Sequence, residues 1–225
     1  MTAYVMDVQN DRSRRARIEH LREHQIATLD ELRAINGFPK ASTATKDTPF
    51  ITPSMEAFIA SCPFFLMGTS NADGSCDVSP KGDPAGAVKV LDSRTLAIPD
   101  RLGNRRVDGF RNVLANPHVG LLFMIPNVDE TLRINGRAFL TREPELLESL
   151  ATRGVIPKLA LIVEIDEAYM HCARAFLRSG LWQPETWPDA DGIPTTARIM
   201  SEQRNQPPPD ESAGKRMEEY RTCLD

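Results

Sequence analysis

Apolar positions recur at roughly helical spacing near the start of the chain. Ile18, Leu21, Ile26, Leu29, Leu32 and Ile35 fall among charges, which predicts helix over 11–36. Thr28-Leu29-Asp30-Glu31 has the spelling of a capping box, so a second helix is expected to restart there. Asn36-Gly37 and then Pro39 end it, and 38–50 reads as a polar, irregular linker. Thr52-Pro53 opens a short helix carrying Met55, Phe58 and Ile59, which stops near Cys62-Pro63.

From there the period changes. Phe64–Ser70 is apolar, Asn71-Ala72-Asp73-Gly74 is a turn, and Cys76–Ser79 resumes, giving a hairpin. Val88–Leu91 and Thr95–Ile98 form another strand pair around Asp92-Ser93. Val119–Ile125 is apolar throughout, so both of its faces are expected to be covered. Thr131–Leu140 alternates, with Leu132, Ile134, Ala138 and Leu140 on one face and Arg133, Asn135 and Arg137 on the other. Leu159–Ile165 is one more strand. Helices are expected over Val107–Ala115 and Pro144–Arg153. Short strands with only short helices between them predict a mainly β, antiparallel barrel (α+β) rather than a wound parallel sheet. Three parts follow: a helical extension and linker over 1–50, a barrel over 51–182, and a proline-rich tail over 183–225. The tail, with Pro184, Pro188, Pro194 and Pro207-Pro208-Pro209, reads as extended, with a last helix at 211–222.

Composition narrows the classes. The 225 residues carry 27 basic and 31 acidic side chains, a net charge of -4, which argues against a nucleic-acid binder. With 41% hydrophobic and 26% charged residues the chain is in the globular range. No apolar run reaches the length of a membrane span, and the N-terminus lacks the apolar core of a secretory signal, so a cytoplasmic protein without membrane contact is expected. Cys62, Cys76, Cys172 and Cys223 have no zinc or redox spacing; free thiols are expected, with Cys62 and Cys76 as buried small hydrophobes. His20-Leu21-Arg22-Glu23-His24 has the spelling of a zinc-protease helix. Its arginine-rich flanks and the lack of an acidic helix downstream make a solvated helix the better reading, and no metal is expected.

The chemistry gathers between 79 and 111. Lys81, Lys89, Arg94, Arg101, Arg105, Arg106 and Arg111 outnumber Asp83, Asp92, Asp100 and Asp108. Gly82 and Gly103 let the backbone approach a ligand, and Asn104 with the arginines is expected to open a helix. Two readings stand: a phosphate site where strand ends converge, or a solvated basic loop.

The succession of Ser61-Cys62-Pro63-Phe64-Phe65, Thr69-Ser70-Asn71-Ala72-Asp73-Gly74, Ser79-Pro80-Lys81-Gly82-Asp83-Pro84-Ala85-Gly86, Ile98-Pro99-Asp100-Arg101-Leu102-Gly103-Asn104, Asn116-Pro117-His118-Val119-Gly120-Leu121-Leu122-Phe123 and Glu130-Thr131-Leu132-Arg133-Ile134-Asn135-Gly136 resembles the FMN-binding split-barrel family typified by pyridoxamine 5'-phosphate oxidase. The resemblance runs from about residue 15 to Trp182. It implies a six-stranded split barrel and a homodimer with FMN in the cleft between subunits. It implies that Ser79, Pro80 and Lys81 lie beside the flavin, and that Asp100, Arg101, Asn104, Arg105 and Arg106 form the phosphate turn. Ile98 and Pro99 would pass along the ring edge, and Thr131 and Leu132 would reach the flavin, often from the partner chain. His171-Cys172-Ala173-Arg174-Ala175 and Arg178-Ser179-Gly180-Leu181-Trp182 resemble the closing motif of one branch of the family, placing Arg178 and Trp182 near the ring and the substrate. Lys81 or Arg178 would then stabilise reduced flavin, and His171 is either a proton-transfer group or a hydrogen-bonding residue of the closing loop.

Two departures matter. Family oxidases carry an arginine five residues before the lysine, where this chain has Cys76, and their terminal Trp-Arg-x-x-Pro ending is absent from Arg221-Thr222-Cys223-Leu224-Asp225. The expectation is an FMN-dependent oxidoreductase acting on a small organic substrate other than pyridoxamine phosphate, with NAD(P)H a candidate donor. The competing readings are a flavin-binding or sensing module without turnover, and a split barrel holding haem or a deazaflavin.

Overall fold

The computed structural model describes residues 8–189 and 192–207. Helices α1 (Val8–Glu23), α2 (Leu29–Asn36) and α3 (Ala41–Ala44) belong to one unit with the described residues from Asp189 onward; residues 46–188 form the other. In the first, the expected break falls at Thr28. Its hydroxyl accepts from the Glu31 amide, and the Glu31 carboxylate accepts from the Thr28 amide. The linker is less irregular than expected, because 41–44 closes one helical turn and Thr48 bridges to Ala168 within the second unit.

In the second unit α4 (Pro53–Ala60) starts on the Thr52 hydroxyl, which accepts from the Met55 amide. Seven strands follow: β1 (Phe64–Ser70), β2 (Cys76–Gly82), β3 (Lys89–Asp92), β4 (Thr95–Pro99), β5 (His118–Met124), β6 (Thr131–Thr141) and β7 (Ala160–His171). Helix α5 (Asp108–Ala115) lies before β5, α6 (Pro144–Ser149) between β6 and β7, and α7 (Arg174–Ser179) after β7. All strands join in one antiparallel sheet of order β2-β1-β5-β6-β7-β4-β3. The count is seven rather than the six of the resemblance.

The sheet is curled. Phe65 of β1 and Ile98 of β4, four places away in the sheet, line one and the same cavity. Laid flat, those strands would be about 19 Å apart. The curl lets Phe65, Met67, Leu121, Phe123, Leu132, Ile134, Leu161 and Val163 fill one core, with Phe123 fully buried and stacked on Phe65 at 4.9 Å.

Several expectations shift. β5 covers only one face within the chain: Val119, Leu121 and Phe123 are buried, while Gly120, Leu122 and Met124 stay half-buried. β7 runs on to His171, because a bulge at Asp166 restores pairing with β6 beyond Ile165. α6 ends at Ser149, short of Arg153, since Thr152 and Val155 close a bridged turn. The tail is not wholly extended: residues 184–186 form a 3-10 turn, and α8 (Thr196–Gln203) starts on Thr195, whose hydroxyl accepts from the Arg198 amide. The expected helix at 211–222, Pro208-Pro209 and Cys223 lie outside the described residues. Cys62 is buried with its thiol against the Phe64 and Met124 carbonyls, and burial pushes its pKa up; Cys76 and Cys172 are exposed, Cys76 because it points outward at the start of the edge strand β2. No helix of the described residues is long and apolar enough to cross a membrane.

The bulge gives a stability prediction. A Cβ on Gly136 would lie 2.1 Å from the Glu164 carbonyl oxygen, which is backbone and cannot swing aside. Gly136→Ala is therefore expected to cost about 3 kcal/mol, read as a lowered urea midpoint; an unchanged midpoint contradicts the β6–β7 register.

Candidate functional site

The curl brings the edge strand β2 towards β4, five places away in the sheet. Between them lies a cleft with two lobes of about 340 and 380 Å3. β2 alternates, so Asp77, Ser79 and Lys81 share its inner face, while Val78 and Pro80 are exposed on an edge that tolerates proline, Pro80 still bordering the first lobe. The first lobe has apolar walls from Phe65, Val88, Ile98 and Pro99. The second is lined by Asp77, Lys81, Asp100, Arg105, Phe110 and Lys158 among others. Ser79, Lys81 and the turn residues 101–104 line both.

The backbone donors of that turn are largely unengaged among the described residues. The amides of Leu102, Gly103, Asn104 and Arg105 donate to no acceptor among the described residues; only the Arg106 amide is engaged, by the Asn104 side-chain oxygen at 3.0 Å. Arg105 and Val107 take left-handed backbone angles, φ 61 and 53. For a β-branched residue such as Val107 this costs roughly 1 kcal/mol or more, strain held at the cleft mouth. It also moves the helix start to Asp108, so the arginines sit in the turn rather than in the first helical turn.

The cations differ in their commitments. Lys81 has its ammonium 5.0 Å from the Phe110 ring centre, with no carboxylate within ion-pair distance among the described residues. Arg105 makes no ion pair there either. Arg101 is spent: Nε donates to Asp83 at 2.5 Å, and the guanidinium also donates to the Leu150 carbonyl and the Thr152 hydroxyl. It ties the exit of β2 to the turn after α6. Arg106 does not line the cleft; it is largely exposed and pairs with Asp108 at 2.7 Å.

The remaining expected residues gather elsewhere in this unit. Thr131 and Leu132 are buried in the sheet, with Leu132 part of the core. His171 pairs with Thr131 across the β6–β7 ladder, its ring 5.1 Å from that of Tyr169. Partial burial, then the charges of Lys46 and Arg133, lower its pKa and favour the neutral imidazole. The Arg178 Nε donates to the Arg174 carbonyl. Trp182 donates its indole N–H to the Val128 carbonyl at 3.0 Å and stacks on Phe176. None of these lines the cleft within one chain. Conversely, the sequence reading missed Phe65, Asp77, Phe110 and Lys158 as cleft residues. The β2 alternation marks Asp77; Lys158 becomes visible only once β4 is known to pair with β7.

A family model described as pyridoxamine 5'-phosphate oxidase matches residues 51–172, more than half of the chain. The chain belongs to the pyridoxamine 5'-phosphate oxidase family. Among solved structures it is similar to HupZ of Group A Streptococcus (19% identity, 52% of this chain and 91% of that one, TM-score 0.43). It is also similar to an FMN-binding protein from Syntrophomonas wolfei (10% identity, 52% and 83%, TM-score 0.42). A third is a protein related to general stress protein 26, of the pyridoxinephosphate oxidase family, from Clostridium acetobutylicum (17% identity, 52% and 85%, TM-score 0.38). No curated protein matches.

In this family member burial acts on an acid of the cleft, Asp100. Burial raises the Asp100 pKa above the ordinary 3.8, and the nearby Lys81 and Arg101 only partly oppose it. The folded state thus holds the Asp100 proton more tightly than the unfolded state does. Its favourable contribution is present below the ordinary value and lost as pH rises through the raised one. Asp100→Asn is expected to raise Tm near pH 7, with the gain shrinking towards about pH 4. A lower Tm near pH 7 would show that the attraction to Lys81 and Arg101 outweighs burial.

Proposed function

We propose that this protein is an FMN-dependent oxidoreductase acting on a small organic substrate, with FMN in the cleft between β2 and β4. The observation that carries this is the turn at 102–105: four backbone amides without acceptors among the described residues, in a turn that lines a cleft shared with Lys81 and Arg105, neither of them in an ion pair there. That donor set fits a monophosphate dianion. Phe65, Val88, Ile98 and Pro99 make the neighbouring lobe apolar, as a planar ring requires, and the volumes are those of ordinary small-molecule sites. Bound FMN would supply hydride and electron transfer, with the protein's share being orientation and electrostatics. Lys81 lines both lobes, so its ammonium would stand where phosphate and ring side meet, with Ser79 next to it on the same strand face.

The site is proposed to be completed by a second copy of the chain. Leu66, Gly68, Leu122 and Met124 make an uncharged, half-buried outer face on β1 and β5 that a homodimer would cover. A partner would also be the route by which His171, Arg178 and Trp182 reach a cleft that they do not line within one chain. The competing reading, a flavin-binding protein without turnover, draws on that same separation. Anaerobic mixing of the FMN-loaded protein with NADH or NADPH separates the two. Loss of the visible flavin absorbance, returning with an acceptor, is expected of the enzyme. A flavin inert to every donor favours the non-catalytic protein.

A further inference from the structure

The family resemblance points to the arginines of the 100–106 turn as the phosphate grip, yet two of them are committed to other partners. Arg101 is held by Asp83, the Leu150 carbonyl and Thr152, and Arg106 by Asp108. Next to the start of the turn stands a cation that no motif marks. Lys158 lines the second lobe together with Lys81 and Arg105. Its position is fixed by the backbone: the β4–β7 ladder pairs Pro99 with Ala160, and one step further the Asp100 amide donates to the Leu159 carbonyl at 3.1 Å. Pro157, immediately before it, is buried. The stem of Lys158 therefore leaves the chain beside the phosphate turn whatever the loop before it does. It has no carboxylate within ion-pair distance among the described residues. The acids facing the same lobe are Asp77, Asp100 and Asp108, the last taken by Arg106.

We infer that Lys158 is an anion-binding residue of the cleft, closing with Lys81 and Arg105 a three-cation set around the terminal phosphate of the bound cofactor. This rests on the FMN reading above and adds a residue and a specificity to it: the cleft distinguishes a phosphorylated flavin from its dephosphorylated form partly through Lys158. A lysine acts here as a point charge, so an arginine at the same place retains the attraction and a neutral isostere removes it.

The test is a pair of titrations on the full chain, with FMN and with riboflavin, for wild type, Lys158→Gln and Lys158→Arg. Lys158→Gln is expected to weaken FMN about tenfold, leave riboflavin within twofold, and keep the Tm of the ligand-free protein; Lys158→Arg restores most of the FMN affinity. FMN affinity unchanged in Lys158→Gln, or an equal loss for both ligands, overturns the inference while leaving the cofactor reading intact. A wild type that binds neither flavin overturns both.

Discussion

Lys81→Ala combined with Arg105→Ala should weaken FMN binding by roughly 1,000-fold. Each side chain would make a charge-assisted contact, worth about 1.5–3 kcal/mol, and about 1.4 kcal/mol is a factor of ten. Two such losses reach about 4 kcal/mol even after allowing for the coupling of neighbours around one anion. Folding should be nearly untouched, because neither side chain makes an ion pair in the described structure and Arg105 is exposed. The expected result is a large rise in Kd with the Tm of the ligand-free protein within about 2 °C of wild type. An affinity loss below tenfold would show that the phosphate, and with it the cofactor, lies elsewhere.

Phe123→Ala should give the reverse pattern. Phe123 is fully buried and stacked on Phe65, which forms part of the cleft wall. Emptying that position costs about 3–5 kcal/mol, because the surrounding strands can only partly collapse into the cavity. For a chain of this size that is a fall of roughly 10 °C in Tm. FMN affinity should fall far less than in the charge variants, since no phosphate contact is lost. A variant with normal Tm would contradict a core continuous from β1 through β5.

These two variants separate what the amino-acid pattern reveals from what it hides. Local elements are legible where a side chain does the local work. Thr28 and Glu31 cap one helix, Thr52 caps another, and Asn71 to Gly74 turns the β1–β2 hairpin. The motif residues Ser79, Pro80, Lys81, Ile98, Pro99, Asp100, Arg101, Asn104 and Arg105 are brought together because the curl of the sheet folds β2 over towards β4. Hidden features depend on contacts between distant segments. The end of β7 depends on a bulge opposite Gly136, where one extra residue breaks the alternation that would otherwise continue to His171. Val107 in a left-handed conformation delays α5, against its own steric preference. Arg101 looks like a phosphate ligand in sequence, but Asp83 and Thr152, 18 and 51 residues away, claim it. Lys158 is hidden for the same reason: only the β4–β7 pairing sets it beside Asp100.

The unit of residues 46–188 thus carries the candidate chemistry, and the charges that matter are those without an ion-pair partner among the described residues. The most direct test is a fluorescence titration of FMN with the purified protein. Quenched flavin emission, reaching one FMN per chain and leaving a yellow protein after gel filtration, is the result expected. Undiminished emission at excess protein, with a colourless protein fraction, would contradict a cleft built for a flavin monophosphate.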